Sequence, residues 1–126
     1  MKLDHDLARS VLLKIEQSQD ESGLHPVEQV QLAVDNKVTN EQLAYTIKML
    51  NQAGFIDGKP LYDGAGKFYS FFPIQLTYDG HEYLDEVRSP KVWRESKSLA
   101  AKVGSVSLSI MGQIASTVIT NTLYLK

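Results

Sequence analysis

Of the three histidines, His5, His25 and His81, one stands in a spacing that chemistry uses. His81-Glu82 opens like the H-E-x-x-H helix of zinc proteases, where two histidines one turn apart hold the metal and the glutamate acts as base. Asp85 occupies the place of the second histidine, so the ligand set fails. Asp4-His5-Asp6 gathers three residues that can bind a cation, but adjacent helical residues point in different directions, and Asp4 suits a helix N-cap better. Asp63-Gly64-Ala65-Gly66-Lys67 looks like a phosphate loop, yet the P-loop spacing is broken by Leu61 and Phe68, and a hairpin tip is the better reading. There is no G-x-S-x-G elbow. With no cysteine, disulfides and thiolate metal sites are excluded. The expectation is a protein that is not an enzyme and holds neither metal nor cofactor.

Recognition is the chemistry left. "VTNEQLAYTIKMLNQAGFI" puts Leu43, Ile47 and Leu50 on one helical stripe and Glu41, Tyr45, Lys48 and Gln52 on the opposite one. Asn40, Gln42, Lys48 and Gln52 can donate to phosphates or base edges, whereas Glu41 would repel phosphate. Lys67 sits at the hairpin tip, where lysine also serves solubility. Further on, Arg88, Lys91, Arg94, Lys97 and Lys102 surround Trp93, a set that can grip phosphates or an anionic membrane surface, or simply leave its cations in water. The expected DNA- or partner-contacting residues are therefore Asn40, Gln42, Tyr45, Lys48, Gln52, Lys67, Lys91 and Arg94.

These residues need a scaffold. Leu7, Val11, Leu12 and Ile15 predict a first helix over about Asp4 to Gln17, followed by a polar loop from Ser18 to Gly23. Residues 27–36 are ambiguous: Val30, Leu32 and Val34 alternate as in a strand, while Val27, Val30 and Val34 also suit a helix. An extended or degenerate element is favoured slightly, on valine's strand preference. Thr39 and Gln42 have capping-box spacing before a helix over Asn40 to Ala53, which Gly54 closes. Strands near Phe55–Leu61 and Lys67–Gln75 form a ribbon turning at residues 63–66. Thr77 caps a helix to Arg88 with Tyr83, Leu84 and Val87 inward, and Ser89-Pro90 starts a fifth helix toward Lys102. The fold class expected is α+β, a winged helix-turn-helix body over 1–88 with a C-terminal helical extension over 89–126.

Charge is unevenly spread. Residues 1–36 carry three Lys/Arg against seven Asp/Glu, residues 37–87 four against seven, and residues 88–126 six against one. The acidic first two-thirds argues against tight non-specific DNA binding by that part alone. Val103 to Leu125 holds no charge at all. Leu108, Met111, Ile114 and Val118, with Ile110 and Ala115, make a wide apolar face that is a liability if left in water. Pairing between copies is the first reading of this face, folding back the second and membrane contact the third, because the many Ser and Thr residues suit a spanning helix poorly. Two acids and no long apolar run at the start point to a cytoplasmic protein.

"MKLDHDLARSVLLKIE", "LAYTIKMLNQAGFI", "LTYDGHEYLDEVRSPKVW" and "KVGSVSLSI" together resemble a family of small proteins from phages, prophages and bacterial genomes catalogued as a domain of unknown function. The resemblance spans nearly the whole chain. Where relatives often carry histidine after the tyrosine of the third helix, this chain has Thr46. The resemblance implies a winged-helix-like body with a helical extension and no known activity. The combined expectation is a phage- or prophage-associated, DNA-binding transcriptional regulator that oligomerises through its C-terminal helix. The competing expectation is a module that binds a host or defence protein and no DNA.

Overall fold

The computed structural model describes residues 1–124; Leu125, the end of the uncharged stretch, lies outside the described residues. The architecture is α+β, with six helices and a two-stranded antiparallel sheet among the described residues. It divides into two compact units, Met1–His81 and Glu82–Lys126, and the division falls inside the fourth helix.

In the first unit, α1 (His5–Gln17) begins where Asp4 Oδ1 accepts from the Leu7 backbone N–H at 3.0 Å. It buries Leu7, Ala8, Val11, Leu12 and Ile15, one face at helical spacing. That face packs on α3 (Asn40–Gln52) and the sheet. In α3, Leu43, Thr46, Ile47 and Leu50 are buried. Thr39 Oγ1 accepts from Gln42 N at 3.1 Å; the reciprocal half of the expected capping box is not made, and Gln42 Nε2 donates to the Lys2 carbonyl at 3.2 Å. Thr46 is fully buried and donates to the Gln42 carbonyl at 2.9 Å, so it serves the helix and not the surface.

The segment favoured as extended is a helix, α2 (Pro26–Asp35). Three local facts outweigh the strand preference of its valines. Pro26 occupies the first helical turn, where its missing N–H costs nothing. The His25 backbone N–H bonds the Glu28 carboxylate at 3.0 Å. The residues that find cover are Gln29, Leu32 and Ala33, at i, i+3 and i+4. Val27, Val30 and Val34 stay outside at 78%, 50% and 63% exposure, so the alternation of Val30, Leu32 and Val34 was no sign of a sheet face. Burial decided the element, as it does for strand propensity in general.

Strands β1 (Ile56–Tyr62) and β2 (Phe68–Leu76) pair antiparallel from Ile56 opposite Leu76 to Tyr62 opposite Phe68, with irregularities after Gly58 and Leu61. Each strand starts and ends one residue later than the spacing predicts. The tip is held by Asp63, whose Oδ1 accepts from the N–H groups of Ala65 and Lys67, both at 2.9 Å. Helix α4 (Tyr78–Val87) opens on the Thr77 hydroxyl oxygen, which accepts from Gly80 N at 3.0 Å.

In the second unit, α5 (Pro90–Ala101) and α6 (Leu108–Tyr124) form a helical hairpin. α5 buries Trp93, Ser96 and Ala100, and its Leu99 is 42% exposed. α6 buries Leu108, Met111, Gly112, Ala115 and Val118. Gly112 lies against Tyr83 and Glu86, and the Ser116 hydroxyl donates to Glu86 Oε2 at 2.6 Å, so small residues on α6 let its neighbour approach. The face expected to join copies is thus covered inside the chain. Leu108, Met111 and Val118 are buried and Ile114 is half-buried. No helix among the described residues is long and apolar enough to cross a membrane.

Candidate functional site

One stripe of α3 and the tip of the ribbon meet. Glu41, Ala44, Tyr45 and Lys48, spaced at three and four residues, share a helix face and line an open cleft of about 370 Å³ with Lys67, Phe68 and Met1. The Leu43, Ile47 and Leu50 face is pinned inward, which leaves this stripe no other direction. On the ribbon, the Asp63 carboxylate fixes the backbone at Lys67, and Phe68 leans on Phe71 with ring centroids 5.0 Å apart. The cleft thus has an apolar floor from Met1, Ala44, Tyr45 and Phe68. Two ammonium groups and one carboxylate complete its lining.

This arrangement suits a polyanion presenting a flat or apolar group beside its charges. Lys48 and Lys67 are exposed and fully able to meet phosphate oxygens. Tyr45 is half-buried with its ring in the cleft wall. Glu41 opposes any phosphate that comes near it and can instead accept from an amino group.

Of the residues expected to make contacts, Tyr45, Lys48 and Lys67 come together here. Asn40 lines a separate cavity of about 140 Å³ with Pro26, Gln29, Val30, Leu43, Tyr69 and Ser70. The Gln42 amide nitrogen donates to the Lys2 carbonyl at 3.2 Å, and Gln42 does not line the cleft. Gln52 is exposed in the last turn of α3, and Lys91 and Arg94 are exposed on α5 of the other unit. Sequence reasoning missed Met1, Ala44 and Phe68 as lining residues. Ala44 had a signal, being three residues from Glu41 on the same stripe; Met1 and Phe68 depend on tertiary placement.

A second exposed feature is the α2 stripe of Val27, Val30 and Val34, with Tyr69 of β2 at 44% exposure beside the smaller cavity. His25 at the start of α2 pairs with Asp20, Nε2 to Oδ2 at 2.5 Å, and its ring lies 4.7 Å from that of Phe72. Asp20 also accepts from the Ser22 backbone N–H at 2.8 Å. The His25 hydrogen bond first, and the Ser22 one second, hold the Asp20 carboxyl below the ordinary carboxylate range.

Fold and cleft define a small α+β protein with an open cleft lined by a helix and the tip of a β-ribbon. Residues 2–107 match the family described as "Hypothetical protein (DUF2513)", and the chain belongs to that family. A relative from Haemophilus influenzae (strain ATCC 51907 / DSM 11121 / KW20 / Rd), described as "Uncharacterized protein", is 32% identical over 126 residues, covering 98% of this chain and 99% of its own. No solved structure matches the chain.

Proposed function

We propose that the chain is a winged-helix DNA-binding regulator, in which α3 enters the major groove and the β1–β2 ribbon touches the backbone beside it. The observation that carries this reading is the convergence of Tyr45 and Lys48 of α3 with Lys67 of the ribbon tip on one open cleft. Helix-turn-helix recognition puts base contacts on the outward face of the second helix of the pair, and α2 followed by α3 supplies that order. Each lysine that meets a phosphate releases a counterion, so affinity should fall steeply with salt. The test is fluorescence anisotropy with a pool of labelled duplexes across a salt series. Lys48→Ala and Lys67→Ala should each weaken binding and each lower the salt slope by about 0.9. Absence of any salt-sensitive duplex binding at low ionic strength removes the proposal.

A protein partner is the second reading, and Glu41 in the cleft favours it. So does the charge of residues 1–81, where seven Lys/Arg face eleven Asp/Glu. The exposed α2 valines would supply the apolar centre such an interface needs.

A further inference from the structure

We propose that the turn end of the α5–α6 hairpin docks on an anionic lipid surface. The wide apolar face of α6 is already spent on intrachain packing, yet apolar groups still emerge where the two helices join. Val103 is 77% exposed, and Leu99 in the last turn of α5 and Ile110 in the first turn of α6 are each 42% exposed. A short linker between packed helices makes them antiparallel neighbours, so all three stand at the same end of the hairpin.

The turn that presents them is well fixed. The N–H groups of Val103 and Gly104 both reach the Ala100 carbonyl, at 3.0 and 3.1 Å, and Gly104 takes the left-handed conformation at φ 106°. Ser107 then caps α6 by accepting from Ile110 N at 3.1 Å. Val103 is therefore held out into water by hydrogen bonds on both sides of it.

Charge selects the occupant. Lys102 adjoins Val103 and is exposed, and Lys91 and Arg94 are exposed along α5. Arg88 is paired with Asp85 at 2.9 Å and Lys97 lies over Trp93 at 5.7 Å, leaving Glu95 as the acid that opposes these cations on α5. From Ser96 to Leu125 the chain has no carboxylate side chain to repel a negative headgroup. Apolar groups to enter the headgroup boundary, with Lys102 beside them, Arg94 and Lys91 farther back along α5 and no acid at the tip, combine burial of apolar area with attraction to anionic headgroups. Duplex DNA would satisfy the cations but offer nothing to Val103.

The test is co-flotation of the full chain with vesicles of phosphatidylcholine alone or with a quarter phosphatidylserine. Binding is expected to the phosphatidylserine vesicles, weaker by about tenfold on phosphatidylcholine alone and falling with added salt. Val103→Asp should reduce it by about tenfold while circular dichroism and the melting curve stay as in wild type, since the side chain is exposed. Lys102→Glu should reduce it and flatten its salt dependence. No flotation overturns the proposal, as does flotation that Val103→Asp leaves intact. A wild-type dimer that Val103→Asp converts to monomer also overturns it, by showing that a second copy covers the tip.

Discussion

The Ser70 hydroxyl of β2 donates to the side-chain oxygen of Gln29 on α2, and the two residues are 2% and 3% exposed. The Gln29 amide nitrogen spends its two hydrogens on the carbonyls of Leu24 at 2.9 Å and Phe71 at 3.2 Å. One side chain thus ties the loop before α2 to the ribbon. Gln29→Leu keeps the volume but takes the amide donor from the Leu24 and Phe71 carbonyls and leaves the buried Ser70 hydroxyl only its long, 3.4 Å bond to the Phe71 carbonyl. The expected loss is about 1–3 kcal/mol in urea unfolding, and a loss under about half a kcal/mol would show that these groups find other partners.

Helices α2 and α3 end with the same bonds on different residues. Val38 N reaches the Ala33 carbonyl and Phe55 N the Leu50 carbonyl, both at 3.0 Å; Lys37 and Gly54 occupy the left-handed position, at φ 57° and 82°. A lysine side chain is strained there and glycine is not. Lys37→Gly should therefore stabilise the chain by about 0.5–1 kcal/mol, and Gly54→Ala should destabilise it by about 1 kcal/mol. Parallel thermal melts read both, and a destabilised Lys37→Gly would be the contrary result.

Asp20 supplies a pH dependence of defined sign. Its folded-state carboxyl titrates below its unfolded value, first through His25 and then through Ser22. That stabilisation is present above the ordinary value of 3.8 and is lost as pH falls through the lower, folded one. The pair is exposed, so the effect is small. Asp20→Asn should shallow the fall in melting temperature between about pH 5 and pH 2, leaving the behaviour of other carboxylates in place. Identical acid limbs for variant and wild type would remove Asp20 from the account.

Glu41 offers a gain of function for the DNA reading. It lines the cleft with Lys48 and Lys67, and a phosphate entering there meets its negative charge. Glu41→Gln should tighten duplex binding several-fold at low salt, an advantage that fades as screening grows. If affinity for duplex drops instead, the carboxylate is reading a base amino group.

Residues that announce helix ends carried most of what could be read without coordinates. Asp4, Thr39, Thr77 and Pro90 mark starts, and Gly54 marks an end, each through a local hydrogen bond or a fixed backbone angle. α2 escaped because its end is marked by Lys37, a residue with no preference for the left-handed region, and because its valines face water. The cleft was half legible: helical spacing aligned Tyr45 with Lys48, but only the ribbon's path could bring Lys67 and Phe68 to them. The fate of the uncharged tail turned on what lay beside it. An apolar stripe says that something must cover it, and the choice among α5, a second copy and a lipid surface is not written in the stripe itself.

The uncharged run through α6 has a practical corollary for anyone probing the chain by protease. Trypsin cuts after lysine or arginine, and none occurs between Lys102 and Lys126. Fragments that begin at Val103 will carry the whole of α6 as one uncut peptide, folded or not, so tryptic resistance there is no measure of order. Chymotrypsin, which cuts after aromatic and large apolar residues, meets Leu108, Met111, Leu123 and Tyr124 along the same helix. The first two are buried and the last two are 65% and 84% exposed, so cleavage at Tyr124 and Leu123 ahead of the others is the pattern that reports α6 in place.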